Sequence, residues 1–167
     1  MDLHHEISKR LSREHQAVAS LLNRLEVFLQ SSGTEHPPQW QNAETRLLMS
    51  DLRGALCADI PQHFAIEEAA LFPLFADNGG EDLVELLLDD HAVILGLVTD
   101  LTPLVEKTLG SPEGLAPQEW ETLRTKARAL VTELGSHAEK EEIGFVPAMD
   151  ELMDPATAKN ILGRYPL

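Results

Sequence analysis

A chain of 167 residues fits a single domain and is long enough to bury one sizeable core. It carries 13 Lys and Arg against 28 Asp and Glu, a formal net charge of -15, so its field repels phosphate backbones and anionic headgroups. Nucleic acid and membrane surfaces are therefore excluded as expected partners. The start MDLHHEISKR has no signal or transit pattern and no stretch approaches a membrane span, which points to a cytoplasmic protein. The single cysteine, Cys57, has no internal disulfide partner and reads as a buried thiol packed like a small hydrophobe.

Along residues 2 to 31, Leu3, Ile7, Leu11, Val18, Leu22, Leu25 and Leu29 keep the three-and-four spacing of one helical face, with His15 standing in the stripe. Ser31, Ser32, Gly33 and the His36-Pro37-Pro38 run end this helix. A second helical pattern from about Trp40 to Phe75 passes through Leu48, Leu52, Leu56, Ile60, His63, Glu67 and Leu71. Pro61 removes a backbone donor inside it, so a kink or bulge is expected just before His63. The turn Asp77-Asn78-Gly79-Gly80 follows.

A third helix, about 81 to 109, places Leu83, Leu87, His91, Ile94 or Leu95, Val98 and Val105 on one face, with Pro103 positioned to bend it near its end. The fourth starts near Pro117, a residue suited to the first helical position, and runs past Trp120, Leu123, Ala127, Leu130, Leu134, His137, Glu141, Phe145 and Leu152. Nothing alternates with period two. The fold class is all-α, an up-down-up-down four-helix bundle over residues 1–153, with 154–167 as a short C-terminal helix or tail.

The two halves of the chain align. Glu14-His15 matches Asp90-His91, and HFAIEEAALFP from His63 matches HAEKEEIGFVP from His137. The separations agree as well, 48 residues from His15 to His63 and 46 from His91 to His137. Each half is thus one helical hairpin offering a His and then a His-x-x-x-Glu, which implies a pseudo-two-fold bundle with the four histidines around its axis. At 1.5 Å per residue, His91 lies about 27 Å from the end of its helix and His137 about 30 Å from the start of its own, so the two are level. In the first hairpin the count from Trp40 puts His63 roughly 35 Å from the turn but His15 only about 24 Å. Either the second helix starts nearer Ala43 or the Pro61 irregularity takes up residues.

Positions four apart on a helix differ by about 40° in direction, so His63 with Glu67, and His137 with Glu141, point into the same wedge of core. A bare carboxylate there is costly. A pair of divalent cations offsets that cost, each carboxylate bridging both metals while the imidazoles complete the protein ligands. His15, His63, Glu67, His91, His137 and Glu141 form such a six-ligand dinuclear set. Glu68 and Glu142 are rotated about 100° from the bridging carboxylates and read as solvated flanks in preference to an outer shell around the metals. Glu14 and Asp90 adjoin ligand histidines, where exposure and the orienting of a neighbouring ring are both open readings. His4, His5 and His36 read as solvent-facing.

These motifs resemble the hemerythrin-like, or HHE cation-binding, domains from His15 to Phe145-Val146-Pro147. The resemblance implies two iron ions, Glu67 and Glu141 as bridging carboxylates, His15 with His63 on one iron and His91 with His137 on the other. Zn or Mn are alternatives that imidazole and carboxylate also accept. Oxygen-carrying hemerythrins have two histidines one turn apart on the third helix, whereas His91 is flanked at that spacing by Leu87 and Leu95. A four-His, two-Glu set leaves an open position on each metal and looks more like bacterial members linked to nitric oxide, cluster repair or peroxide handling, a stress-response setting. Ferritin-like bundles use Glu-x-x-His and more carboxylates than histidines, and fit less well.

The expected function is binding or turnover of a small oxidant, O2, NO or H2O2, with catalase-like or NO-directed activity. The alternative is an iron- or oxygen-responsive sensor without turnover. The protein partner of the acidic surface is not specified by the sequence.

Overall fold

A computed structural model describes residues 3–33 and 37–164. Helix α1 spans Glu6–Ser31. A second helical run comprises α2 (Ala43–Gly54), α3 (Ile60–Ile66) and α4 (Phe72–Phe75), joined by wide π-turns at Ala55–Asp59 and Glu67–Leu71. Helix α5 covers Glu81–Gly110 and continues through Pro103 without interruption. A fourth run joins α6 (Pro117–Lys140) to α7 (Val146–Leu152) through a π-turn at Glu141–Phe145. Helix α8 (Pro155–Arg164) closes the described chain. No helix among the described residues is long and apolar enough to cross a membrane.

Three prolines explain three of the wide turns. Pro61, Pro73 and Pro147 cannot donate to a carbonyl four residues back, and their rings press on it. In each case the residue just before the proline reaches five back instead: Ile60 to Ala55, Phe72 to Glu67 and Val146 to Glu141. The helix widens by one residue and carries on. The bulge expected ahead of His63 is therefore present at Ala55–Asp59. The second helix also starts at Ala43, capped by the Asn42 side chain on the Glu44 N–H, so both readings of the uneven first hairpin hold together.

α1 packs against α2 and α6, and α5 packs against the same two, giving a ring of four neighbours, a helical bundle. Pro117 occupies the start of α6 as expected. Two tight spots use glycine for a physical reason. Gly79 turns the chain between the second and third runs at φ 93, and a Cβ on Gly114, itself at φ 71, would run into the Trp40 ring.

The core is in two pieces. A larger cluster contains Leu25, Leu52, Ile60, Phe64, Ile94, Leu101, Trp120 and Leu130. A smaller one contains Ile7, Leu11, Ile66, Phe72, Leu87, Phe145, Met149 and Ile161. On the third helix Ile94, not Leu95, takes the fully buried position. Cys57 is exposed, contrary to the buried reading. It sits in the first π-turn between buried Leu56 and Ile60, where the widened register turns it outward.

The start of α1 is held from across the chain. Asp150 on α7 accepts the His4 N–H at 2.6 Å and the His5 N–H at 2.9 Å, replacing a local cap. The His5 ring donates from Nε2 to the Met153 carbonyl at 2.9 Å. His5 is thus a half-buried, bonded residue rather than a solvent-facing one, while His4 exposes its side chain. His36 lies outside the described residues.

Candidate metal centre

Each long helical run gives one histidine to the layer between the two apolar clusters. His15 stands between Leu11 and Leu22, His63 between Ile60 and Ile66, His91 between Leu87 and Ile94, and His137 between Leu134 and Phe145. The carboxylates Glu67 and Glu141 open the π-turns that follow His63 and His137, and both are fully buried. All six sequence-derived candidates meet there. They form two groups whose ligand atoms lie within 4.8 Å of one another: His15, His63, Glu67 and Glu141, then Glu67, His91, His137 and Glu141.

Every imidazole turns Nε2 inward. His15 Nε2 lies 3.0 Å from Glu141 Oε2, and His63 Nε2 3.1 Å from Glu67 Oε1. His91 Nε2 is 3.4 Å from Glu67 Oε2, and His137 Nε2 3.3 Å from Glu141 Oε2. Glu67 therefore faces one group with each of its oxygens. The Nε2 atoms of His15 and His63 are only 3.1 Å apart.

Hydrogen bonding leaves this layer incomplete. Both oxygens of Glu67, both of Glu141, Nε2 of His91 and both ring nitrogens of His137 are buried without a hydrogen-bond partner. Orphaned polar atoms at that depth are costly in an ordinary core and are characteristic of groups awaiting a cation. Ligand bonds of about 2.0–2.2 Å place adjacent donors roughly 3 Å apart, the spacing seen here. The donor set, neutral imidazole plus carboxylate, suits a transition metal.

The charges within the layer lean on one another. Burial works against a protonated His63, but the Glu67 charge, the bond that its Nδ1 donates to Glu14 and the nearby Glu141 carboxylate hold its pKa well above the ordinary imidazole value. His15 is raised too: burial opposes, and Glu141 and Glu142 outweigh it. Burial pushes Glu141 up, yet its contacts with His137, His15 and His63 bring it below the usual carboxylate range.

Behind the ligands lies a row of carboxylates. His15 Nδ1 donates to Glu142 Oε1 at 2.9 Å, His63 Nδ1 to Glu14 Oε2 at 2.7 Å and His91 Nδ1 to Glu68 Oε1 at 2.7 Å. Asp90 faces His137 Nδ1 at 3.4 Å. Glu68 and Glu142 are thus ring partners as well as partly solvated groups, which corrects the solvated reading. Their 100° offset from Glu67 and Glu141 carries them across to the neighbouring helix. The signal in the sequence was the doubled Glu at both motifs. Burial opposes ionisation of Glu14, but His63 and Arg10 lower its pKa.

The two sides of the layer differ in access. A pocket of about 620 Å³ opens along the seam of α1 with α2 and α3 and reaches His15, His63 and His137 past Val18, Gly54 and Phe64. His91 is closed off: the Phe64 ring stacks on it at 3.6 Å and Phe72 leans on it at 5.3 Å. Leu87 and Leu95, the neighbours of His91 one turn away, offer no ligand.

No curated protein matches the chain significantly. The profile of the hemerythrin HHE cation binding domain matches residues 6–158, which include every residue of the layer just described, and the chain belongs to that family.

Proposed function

We propose that the protein is a non-haem di-iron protein that reacts with small oxidants, O2, NO or H2O2. The observation that carries this is the set of six inward side chains whose buried lone pairs have no other partner. His15 and His63 would hold one iron, His91 and His137 the other, with Glu67 and Glu141 bridging. Two irons held there would supply one-electron redox chemistry and coordination positions that the six protein groups leave open. The pairing of flanking carboxylates supports the pseudo-two-fold, up-down-up-down reading. Glu14 bonds and Asp90 faces a histidine of its own half, whereas Glu68 and Glu142 cross to the other half.

The residues do the rest of the work. Glu142, Glu14 and Glu68 fix the His15, His63 and His91 rings so that Nε2 points inward. Phe64, Phe72 and Phe145 keep water from the His91 side, and the seam pocket leads a small molecule to the His15 side. Metal content with a Mössbauer spectrum of oxidised protein, followed by assays of peroxide-driven O2 release and NO loss, tests the proposal. Two irons per chain and at least one activity are expected. A metal-free chain that takes up no iron anaerobically removes it.

A second reading, an iron- or oxygen-responsive sensor, is favoured by the position of the layer between the two apolar clusters, where occupancy bears directly on stability. A large rise in melting temperature on loading, with no turnover, supports sensing.

A further inference from the structure

Three of the four imidazoles hold a carboxylate tightly and the fourth does not. Asp90 Oδ2, the atom facing His137 Nδ1 at 3.4 Å, accepts a hydrogen bond from Lys140 Nζ at 2.6 Å. His137 Nδ1 is left with no hydrogen bond at all, although the residue is almost wholly buried. Glu14 shows what the alternative looks like. Arg10 Nε takes its Oε1 at 2.7 Å while Oε2 keeps His63 at 2.7 Å, so one carboxylate serves both cation and ring. Lys140 has no counterpart in the first motif, where the matching position is the apolar Ile66.

A carboxylate on Nδ1 makes the imidazole a stronger donor through Nε2 and fixes its tautomer. The His15–His63 group has two such carboxylates and the His91–His137 group one. Resting on the di-iron reading above, we propose that Lys140 is a positioning residue that draws Asp90 away from His137 and so makes the two metal positions electronically unequal. The position at His15 and His63 is the electron-rich one, the first to be oxidised. The position at His91 and His137 keeps the lower valence. The order follows from the one imidazole whose Nδ1 lacks a carboxylate bond, His137, whose facing oxygen on Asp90 is taken by Lys140.

The test uses iron-loaded protein with 15N-labelled histidine, in wild type, Lys140→Met and Lys140→Arg. Lys140 is partly exposed, so Met fits without disturbing the fold. In wild type, the His137 N–H, identified by sequential assignment, exchanges with solvent faster than the other imidazole N–H groups, and it stays fast in Asp90→Asn/Lys140→Met. Lys140→Met is expected to slow that proton about tenfold and to raise the oxidised-to-reduced ratio at fixed potential about tenfold, which is about 59 mV for a one-electron couple. Lys140→Arg, keeping the competitor, is expected to behave as wild type. A changed ratio with unchanged proton exchange overturns the proposal, because loss of a nearby charge then explains everything. Unchanged values of both overturn it too. A wild-type chain that takes up no iron fails earlier, at the metal analysis, and removes the di-iron reading with it.

Discussion

Glu142 reaches His15 across 127 residues of sequence, its Oε1 2.9 Å from the ring Nδ1. It does so while its neighbour Glu141 points inward to the same ring's other nitrogen at 3.0 Å. Adjacent glutamates thus grip one imidazole from both sides, one as a ligand candidate and one as its orienter. Glu142→Ala should weaken metal retention about 10- to 100-fold while Glu142→Gln, which keeps an acceptor oxygen, loses less. Competition with a chelator of known affinity measures both. Equal loss in the two variants would mean that charge alone matters.

Shared and unshared ligands should behave differently. Glu67 and Glu141 belong to both groups, His15 to one. His15→Ala is expected to leave one metal ion per chain on His91, His137, Glu67 and Glu141. Glu67→Ala is expected to lose both. Elemental analysis after desalting reads the difference directly, and full retention in Glu67→Ala would rule out bridging.

The seam pocket supplies a kinetic prediction. Gly54 lines it, and a Cβ there meets nothing within 4 Å. Its backbone is helical, at φ -55 and ψ -51, so a larger side chain fits without strain. Gly54→Phe should slow azide association with the iron-loaded protein at least about tenfold, with metal content unchanged. Gly96→Phe, another open helical glycine outside the pocket lining, is the control and should bind azide as wild type does. Stopped-flow absorbance decides.

Asp150 predicts a pH dependence of stability. Burial raises its pKa, but the N–H groups of His4 and His5 outweigh this and bring it below the ordinary value. A folded pKa below the unfolded one stabilises the fold fully above the unfolded value of about 3.9 and loses that contribution as pH falls towards the folded value. At pH 7, Asp150→Asn should therefore be less stable than wild type, by about 1–3 kcal/mol for two weakened bonds to a carboxylate. The gap should stay constant down to about pH 5 and narrow below about pH 4. Urea denaturation across this range checks it, and a gap that widens on acidification would contradict the assignment.

The candidate ligands were legible because two features coincide in one dimension: a His replacing an apolar residue in a helical stripe, and a His-x-x-x-Glu that repeats with its proline. Helical spacing alone carries that information. The flanking carboxylates were not legible in the same way. Whether Glu68 faces water or His91 depends on which helix lies beside it, and that is a property of packing. Cys57 failed for a related reason. Its burial was inferred from residue type, while its direction is set by a π-turn that shifts the register by one. Pro61 announced that turn without fixing which residues it would rotate. Pro73 and Pro147 do the same at Glu67 and Glu141.

The division of the core into two apolar clusters gives the molecule a waist of charge. Aliphatic packing is interrupted at that level, where the candidate ligands and the rings on His91 take its place. The smaller end, closed by α8 and by Asp150 on the first turn of α1, is expected to open as a unit before the larger cluster does. Metal exchange is then expected to proceed through this partial opening, faster than global unfolding. Amides of the first turns of α1 and of α7 should exchange hydrogen with the same opening free energy, below that of the α5 amides around Leu101. A bound cation, tying all four helical runs at the waist, would turn two loosely joined halves into one cooperative body.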